Sequence, residues 1–471
     1  MIRLHETIRV NRTRGDCYRY LADFSTCEQW DPGVYRAAKT TPGAPGPGTR
    51  FTVTVRWLAG RTTLDYELVD LKVDRRIELH GTGAGLDTRE VIAFDDNPDG
   101  STTIDYRADF TLGKALRVAA PGSRLILRRM ARRAVRGLAR ALEIDPRPPH
   151  QGWFSYAADR SVVAAAPAFT ERGYLAMEDK AHSQFMDDRT IAVTGATGGI
   201  GLAVACEYAR LGATLLLVGR DTARLGQARQ RIADFADGTP DRIHLYEADL
   251  LDASQTRAAA ERIAAEHPRL DVLVNNAGAL FDSHALTDDG FERSVAINLV
   301  APFVLTEGLM TPLVAAHGRV VNMSSGGMYL QPLVVEDMNF ESGEYSGTKA
   351  YARAKRGLVA LTRHWARRYA ETGVRFNAMH PGWVATAGVT EALPGFDKVM
   401  HRLLRDARMG ADTAVWLGAS AAAETCQGQF FLDRTPHPTA VVPGTQVKPS
   451  QAQALYAWLR NQTGIRVHGV G

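Results

Sequence analysis

The sequence predicts two folds in series: a doubly wound α/β parallel sheet over its C-terminal two-thirds, and a smaller α+β domain with an antiparallel sheet in front of it. Three observations carry this. Apolar runs rich in β-branched residues alternate with helical patterns at 189–194, 214–219, 243–247, 270–274, 319–323, 374–379 and 428–432, as strands buried on both faces of a parallel sheet do. A glycine-rich stretch follows the first of these runs and opens a helix. Residues 1–145 instead alternate polar and apolar positions in short runs, some of them separated by Gly/Pro clusters, the texture of an antiparallel sheet. At 471 residues two or three domains are expected.

Composition narrows the function classes. Hydrophobic content is 45% and charged content 23%, which suits a globular protein with real cores. A net charge of +4 over this length gives no case for a nucleic-acid partner. Cys17, Cys27, Cys206 and Cys426 are scattered, with no CxxC pair, so neither a metal site nor a disulfide framework is expected. The first residues carry charge where a signal peptide needs an apolar core, and no apolar run reaches the length of a membrane span. A cytoplasmic protein with no integral membrane segment is the expectation.

In the first domain, a strand at 2–10 precedes a helix from Thr13 to Phe24, which ends at Trp30-Asp31-Pro32-Gly33. Strand-like runs follow at 34–39, 49–58, 62–73, 75–81, 88–95 and 101–111. A long helix then runs from Ser123 to about Glu143, with Leu127, Met130, Ala134 and Leu138 on one side and Arg129, Arg132, Arg133 and Arg136 on the other. The apolar side suits packing on the sheet and the basic side suits solvent; contact with an anionic membrane surface is the competing reading. The order of elements, with Tyr20-Leu21-Ala22-Asp23-Phe24 and Trp30-Asp31-Pro32-Gly33, resembles the helix-grip fold of the SRPBCC superfamily of START-like lipid carriers and polyketide cyclases. That resemblance implies a space for an apolar ligand between sheet and long helix, and it assigns no catalytic residue. A purely structural domain stays open.

Residues 146–187 read as a connector. Asp145-Pro146-Arg147-Pro148-Pro149 cannot continue a helix, and Trp153, Phe154, Tyr156, Phe169 and Tyr174 suggest a segment that packs on the second domain. That domain spans 188–445, followed by an extension at 446–471.

The chemistry resides in the second domain. In Thr194-Gly195-Ala196-Thr197-Gly198-Gly199-Ile200-Gly201, the glycines let the backbone approach a pyrophosphate at a helix N-terminus. The second strand ends at Gly219-Arg220-Asp221. There an Arg neutralises the 2′-phosphate of NADP, whereas a carboxylate would bind the ribose of NAD; Arg220 comes first and favours NADP over NAD, while Asp221 is able to cap the next helix. Ala248-Asp249-Leu250 follows the third strand and Asn275-Asn276-Ala277-Gly278 the fourth. Hydride transfer needs a group that exchanges a proton with the substrate oxygen, and a tyrosine serves when a lysine one helical turn later stabilises its phenolate. Two YxxxK patterns overlap, Tyr345/Lys349 and Tyr351/Lys355. Gly343 and Gly347 place the first in loop-like sequence, and the second opens a clean helix to Tyr369, so Tyr351 and Lys355 are selected.

These motifs, in this order, resemble the short-chain dehydrogenase/reductase family, whose dinucleotide-binding domain is a Rossmann fold. The resemblance implies a catalytic tetrad of Asn298, Ser325, Tyr351 and Lys355: Ser325 holds the carbonyl and Asn298 supports a proton relay. It implies cofactor contacts from Gly195, Thr197, Gly199, Ile200, Gly201, Arg220, Asp249, Leu250, Asn275, Ala277, Gly278, Tyr351, Lys355, Pro381, Gly382, Val384 and Thr386. His380, although beside these, is read as structural. A long insert between Ser325 and Tyr351, with Ser324–Met328, His364-Trp365-Ala366, Met379–Trp383 and Leu393–Phe396, is similar to one particular member of that family. Residues 387–409 then form a substrate lid, whose Leu393, Phe396, Val399, Met400, Leu403 and Leu404, with Phe281, Met328 and Tyr329, suggest a small apolar carbonyl or alcohol substrate; helix packing explains the same residues equally well. Family habit implies a homo-oligomer if the added domain leaves the usual contacts free. The whole reads as an NADP-dependent carbonyl reductase or alcohol dehydrogenase with a ligand-binding domain in front. A lipid-transfer protein with a nucleotide-sensing scaffold, or a bifunctional cyclase-reductase, stays open.

Overall fold

The computed structural model describes residues 2–57, 60–113, 123–143, 147–149, 166–177, 180–182, 184–236, 240–385 and 404–466. It divides into two compact units. The first comprises Met1–Asp145 with Met177–Phe185 and Asp234–Asp237; the second comprises Pro146–Ala176, Met186–Ala233 and Gly238–Gly471. The connector is therefore not one piece on the reductase. Its Met177–Phe185 stretch groups with the first unit, where Ala181 and Phe185 pack against the core and Phe185 lies under the Arg19 guanidinium at 3.9 Å.

In the first unit, seven antiparallel strands take the order β1-β7-β6-β5-β4-β3-β2. They are β1 (Ile2–Val10), β2 (Val34–Lys39), β3 (Arg50–Trp57), β4 (Gly60–Lys72), β5 (Arg76–Gly83), β6 (Leu86–Asp96) and β7 (Thr102–Leu112). Each predicted run has its strand. Helices α1 (Arg14–Ala22) and α2 (Cys27–Trp30) connect β1 to β2, and α3 (Ser123–Leu142) closes the unit. Thr13 caps α1 by accepting from the Asp16 N–H. Ala134, Val135, Leu138, Ala141 and Leu142 of α3 are buried with the sheet's inner residues, while Arg129, Arg132, Arg133 and Arg136 are exposed. The apolar stripe of α3 is thus committed to the core of its own unit.

The second unit is an eight-stranded sheet of order β10-β9-β8-β11-β12-β13-β14-β15, all parallel except its last pair. Its strands are β8 (Thr190–Thr194), β9 (Thr214–Gly219), β10 (Ile243–Glu247), β11 (Val272–Asn275), β12 (Arg319–Met323), β13 (Arg375–Met379), β14 (Phe430–Leu432) and β15 (Thr435–His437). A short helix α4 (Glu171–Ala176) precedes the sheet. One face of the sheet packs on α5 (Gly199–Arg210), α6 (Thr222–Ala236) and α11 (Ala407–Ala419). The other packs on α7 (Ala253–Glu266), α8 (Arg293–Gly308), α9 (Met310–Ala316) and α10 (Gly347–Arg368). The order changes direction between β8 and β11, the switch point where doubly wound sheets hold ligands. The terminal helix α12 (Pro449–Thr463) buries Leu455, Tyr456 and Leu459 in the same core as α10, so the C-terminal extension is part of this unit. Among the described residues no single helix is long and apolar enough to cross a membrane.

A methyl group has no room at Gly137, where it would sit 1.9 Å from the Trp30 carbonyl oxygen. Gly137→Ala should force α3 away from α2 and remove roughly 1–3 kcal/mol from the first unit, whereas Arg136→Ala on the exposed side should stay within about 0.5 kcal/mol. Urea melts followed by fluorescence compare the two; equal midpoints would contradict this packing.

Candidate active site

The site is assembled at the C-terminal ends of β8, β9, β11, β12 and β13. The loop after β8 turns sharply because Gly195 and Gly199 adopt φ of 67° and 53°, in the left-handed region open to glycine. Gly201 is required by space: a Cβ there would lie 2.4 Å from both the Asn276 Nδ2 and the Gly195 carbonyl oxygen. At Gly198, which caps α5, a Cβ would meet nothing within 4 Å, so this side of the loop is open above a helix N-terminus. That is a fit for a pyrophosphate. Ile200 and Val384 converge on Gly410 of α11, where an added Cβ would approach them to 3.4 and 2.7 Å.

Of the Asn275-Asn276 pair, Asn276 is the one that holds the glycine loop. Asn275 ends β11 and turns into the core, where its amide donates to Asn322 Oδ1 at 2.8 Å and to Thr306 at 3.2 Å. Alternation along the chain sends Asn276 the other way: its amide donates to the Thr194 carbonyl at 2.8 Å, and Thr194 Oγ1 accepts from the backbone N–H groups of Asn276 and Ala277. Asn276 therefore ties the glycine loop to the Ala277-Gly278 turn.

Arg220 is exposed at the end of β9, and Asp221 accepts from the Arg224 N–H as the cap of α6. Thr197 stands close by, 3.8 Å from where a Cβ of Gly219 would be. Asp249 is half-exposed and accepts from the Leu251 N–H, beside buried Leu250.

Ser325, Tyr351, Lys355 and Asn298 come together. Ser325 follows β12, close enough to Tyr351 for its hydroxyl to offset in part the rise that burial gives the Tyr351 hydroxyl. Lys355 lies one turn further along α10, its Nζ 5.7 Å from the Tyr351 ring centre and donating to the Met323 carbonyl at 2.8 Å. Burial lowers its amine to about 7. Asn298 sits in a π turn, Ala296–Val300, inside α8, an irregularity often found at functional sites. Its amide donates to the Ala279 and Ser294 carbonyls, and its Oδ1 is buried with no partner among the described residues. Gly278 stands between the two groups: a Cβ there would lie 2.5 Å from Asn298 Oδ1 and 3.1 Å from Lys355 Nζ.

The rejected pair is placed elsewhere. Tyr345 donates to the Phe281 carbonyl and to Glu292, and Lys349 is exposed. Helix α10 begins at Gly347, four residues earlier than expected, because Ser346 accepts from the Lys349 N–H as its cap. Met328 and Tyr329 pack inside a cluster with Phe169 and Phe430, the Tyr329 hydroxyl donating to the Pro438 carbonyl, so they are core rather than pocket wall. Thr386 and residues 387–403 of the expected lid lie outside the described residues, while Leu404 is buried.

One organising residue was missed. Arg405, 1% exposed, pairs with Asp433 at 2.6 and 2.7 Å and donates to the Thr170, Ala168 and Pro381 carbonyls. It packs against Gly382, where a Cβ would lie 2.3 Å from the Arg405 Nε and where the φ of 79° also favours glycine. The Pro381-Gly382 turn is thereby clamped. His380 is fully buried against Phe169, accepts from the Gly382 N–H, and is pushed down to about 3 by burial and by Arg405. It stays neutral.

Residues 189–395 match the family model described as short chain dehydrogenase, and residues 1–143 match that of polyketide cyclase / dehydrase and lipid transport proteins. Human dehydrogenase/reductase SDR family member 12 is 41% identical over 250 residues, covering 53% of this chain and 77% of the relative. The chain belongs to the short-chain dehydrogenase/reductase family. The bovine protein of the same name is 38% identical over 298 residues (61% of this chain, 91% of the relative), and mouse retinol dehydrogenase 14 is 35% identical over 263 (53% and 78%). Membership makes the second unit an oxidoreductase domain with a nicotinamide dinucleotide as its cofactor class, which the open glycine loop and the unpartnered Asn298 Oδ1 fit.

The pH dependence of stability tests the setting of Lys355. Its amine is depressed from an ordinary 10.5 to about 7, so the stability linked to it is present above 10.5 and lost as pH falls through that window toward 7. In urea melts of the cofactor-free chain, wild type should gain on Lys355→Met as pH rises from 7. A flat difference would mean that the folded amine stays charged.

Proposed function

We propose that this short-chain dehydrogenase/reductase is an NADP-dependent carbonyl reductase or alcohol dehydrogenase acting on an apolar substrate. The observation that carries this reading is the convergence of Ser325, Tyr351, Lys355 and Asn298 around Gly278. When bound, the cofactor supplies or accepts the hydride. The chain's own residues handle the proton and the geometry. Ser325 and Tyr351 present two hydroxyls to one carbonyl oxygen; Ser325 orients it and Tyr351 gives it the proton in the reducing direction. Lys355, when protonated, stabilises the tyrosinate left behind, and its low setting lets it pass a proton on. Asn298 Oδ1 is an acceptor for a relay water beside the lysine. The Arg220 guanidinium is the counter-charge for a 2′-phosphate. Gly195, Thr197, Gly199, Ile200, Gly201, Asp249, Leu250, Ala277, Gly278, Pro381, Gly382, Val384 and Thr386 would line the cofactor. That a relative is named a retinol dehydrogenase supports an apolar alcohol or aldehyde as substrate.

A screen of NADPH oxidation against apolar ketones and aldehydes tests the reading. Tyr351→Phe should lose roughly 10²–10⁴-fold in turnover with cofactor affinity little changed, while Tyr345→Phe stays active. Activity lost in Tyr345→Phe and kept in Tyr351→Phe would reverse the assignment. Arg220→Ala should cut the NADPH-over-NADH preference by at least about tenfold, or 1.4 kcal/mol; a wild type that prefers NADH rejects the NADP part.

A further inference from the structure

The inner face of the first unit's sheet is apolar almost throughout, with Leu64, Ile77, Leu79, Ile92 and Ile104 all buried. One place breaks the pattern. Glu90 on β6 is buried, one of its oxygens accepting from the Tyr66 hydroxyl at 2.8 Å and the other from the Tyr106 hydroxyl. Two residues away on the same strand face, Thr88 is fully buried and its hydroxyl has no partner among the described residues.

The register shows how this place is built. Tyr66 on β4 stands opposite Gly81 on β5, which stands opposite Thr88 on β6. A Cβ at Gly81 would lie 2.6 Å from the Tyr66 ring and 2.8 Å from the Thr88 methyl. The bare backbone of Gly81 therefore lets the Tyr66 ring cross β5 and reach Glu90. Glycine within a strand and a buried carboxyl both weaken a fold, so stability does not account for the arrangement. An apolar residue at 90 would avoid the buried carboxyl.

Counting protons indicates what is absent. Among the described residues no salt bridge reaches Glu90, and burial pushes its carboxyl up; Asp31, close enough for their charges to interact, is itself raised to about 7. With Glu90 ionised, both phenols donate to it and their protons are used; with Glu90 protonated, the three groups carry three O–H protons and share two contacts. In the protonated form one proton is left without an acceptor among the described residues, and in either form the Thr88 hydroxyl is an unmatched donor there. A group that only accepts hydrogen bonds completes both.

We propose that Tyr66, Thr88, Glu90 and Tyr106 form a hydrogen-bond-donor site for the carbonyl oxygen of an apolar compound bound in the first unit. The identity of the acceptor as a carbonyl leans on the reading of the second unit as a carbonyl reductase; the donor count does not. A ligand amine would require the ionised carboxylate and is the competing outcome.

The full-length chain, without cofactor, is titrated with 2-acetylnaphthalene, 2-ethylnaphthalene and 1-(2-naphthyl)ethylamine. The ketone should bind roughly three- to tenfold more tightly than the hydrocarbon, the worth of one neutral hydrogen bond. The combined variant Tyr66→Phe/Glu90→Leu/Tyr106→Phe replaces the cluster with an apolar wall; its first unit should melt no lower than wild type, and its preference for the ketone should fall, with hydrocarbon binding kept. Thr88→Val, which keeps the side-chain shape, should lower the preference if the combined variant fails to fold. Equal binding of ketone and hydrocarbon to wild type, a preference that survives whichever of these variants fold, or tighter binding of the amine each overturns the proposal. NADPH oxidation with a small ketone is followed in parallel, so a failed reductase reading and a failed donor site give different results.

Discussion

Lys355 reaches from α10 back to the end of β12, where its amine donates to the Met323 carbonyl in a setting only 2% exposed. Few side chains are held away from water at such cost, because an ammonium loses its hydration and gains only one carbonyl here. Much of the second unit is arranged to tolerate it. Gly278 is kept bare so that the amine has space, and the π turn in α8 brings Asn298 Oδ1 to the far side of that glycine. The Ser324 hydroxyl donates to the Lys355 carbonyl, fixing the helix against the strand end that also carries Ser325. Beneath them a buried chain of amides and hydroxyls, Asn275 to Asn322 to Thr362, locks β11, β12 and α10 together. Two strands and two helices are thereby positioned around one lysine.

Legibility in the sequence follows from how local each constraint is. The parallel strands read within a residue or two because most of their positions are apolar, whichever face they meet. Tyr351 was separable from Tyr345 because glycines flank one and a continuous helix carries the other. Asn275 and Asn276 were not separable: adjacent identical residues differ only in which way the last strand residue points, and that is set by where β11 ends. Arg405 gave no signal at all. It is one arginine among many, and its five hydrogen bonds go to Asp433 and to carbonyls whose sequence distance from it exceeds two hundred residues at Ala168 and Thr170. The π turn is equally silent, since Ala296–Val300 has ordinary helical composition.

The first unit was legible as a pattern of strands but not as a site. Alternation marks Tyr66, Glu90 and Tyr106 as facing the same side as their apolar neighbours, yet a glutamate at an inward position reads on paper as a slip of register or a surface residue. Only the cross-strand pairing shows that Gly81 clears the way for Tyr66, and only the resulting contacts show that the carboxyl is capped by phenols, with no cation paired to it among the described residues.

A buried acid alone is not evidence of a site, and the second unit provides the control. Glu307 on α8 is also buried, raised by its surroundings, and held by two aromatic donors, Trp365 Nε1 and the Tyr369 hydroxyl, both at 2.7 Å. There, however, Arg368 lends a positive charge that favours the ionised form, and the indole N–H can only donate. Two donors meet two carboxylate oxygens and a cation stands nearby, which is what a group retained for packing α8 against α10 requires. Glu90 is held by two phenols, with no cation paired to it among the described residues; beside each acid one buried hydroxyl, Thr88 here and Tyr456 there, has no partner among the described residues. The difference between the two acids therefore lies in the charge left over once the protein's own partners are counted.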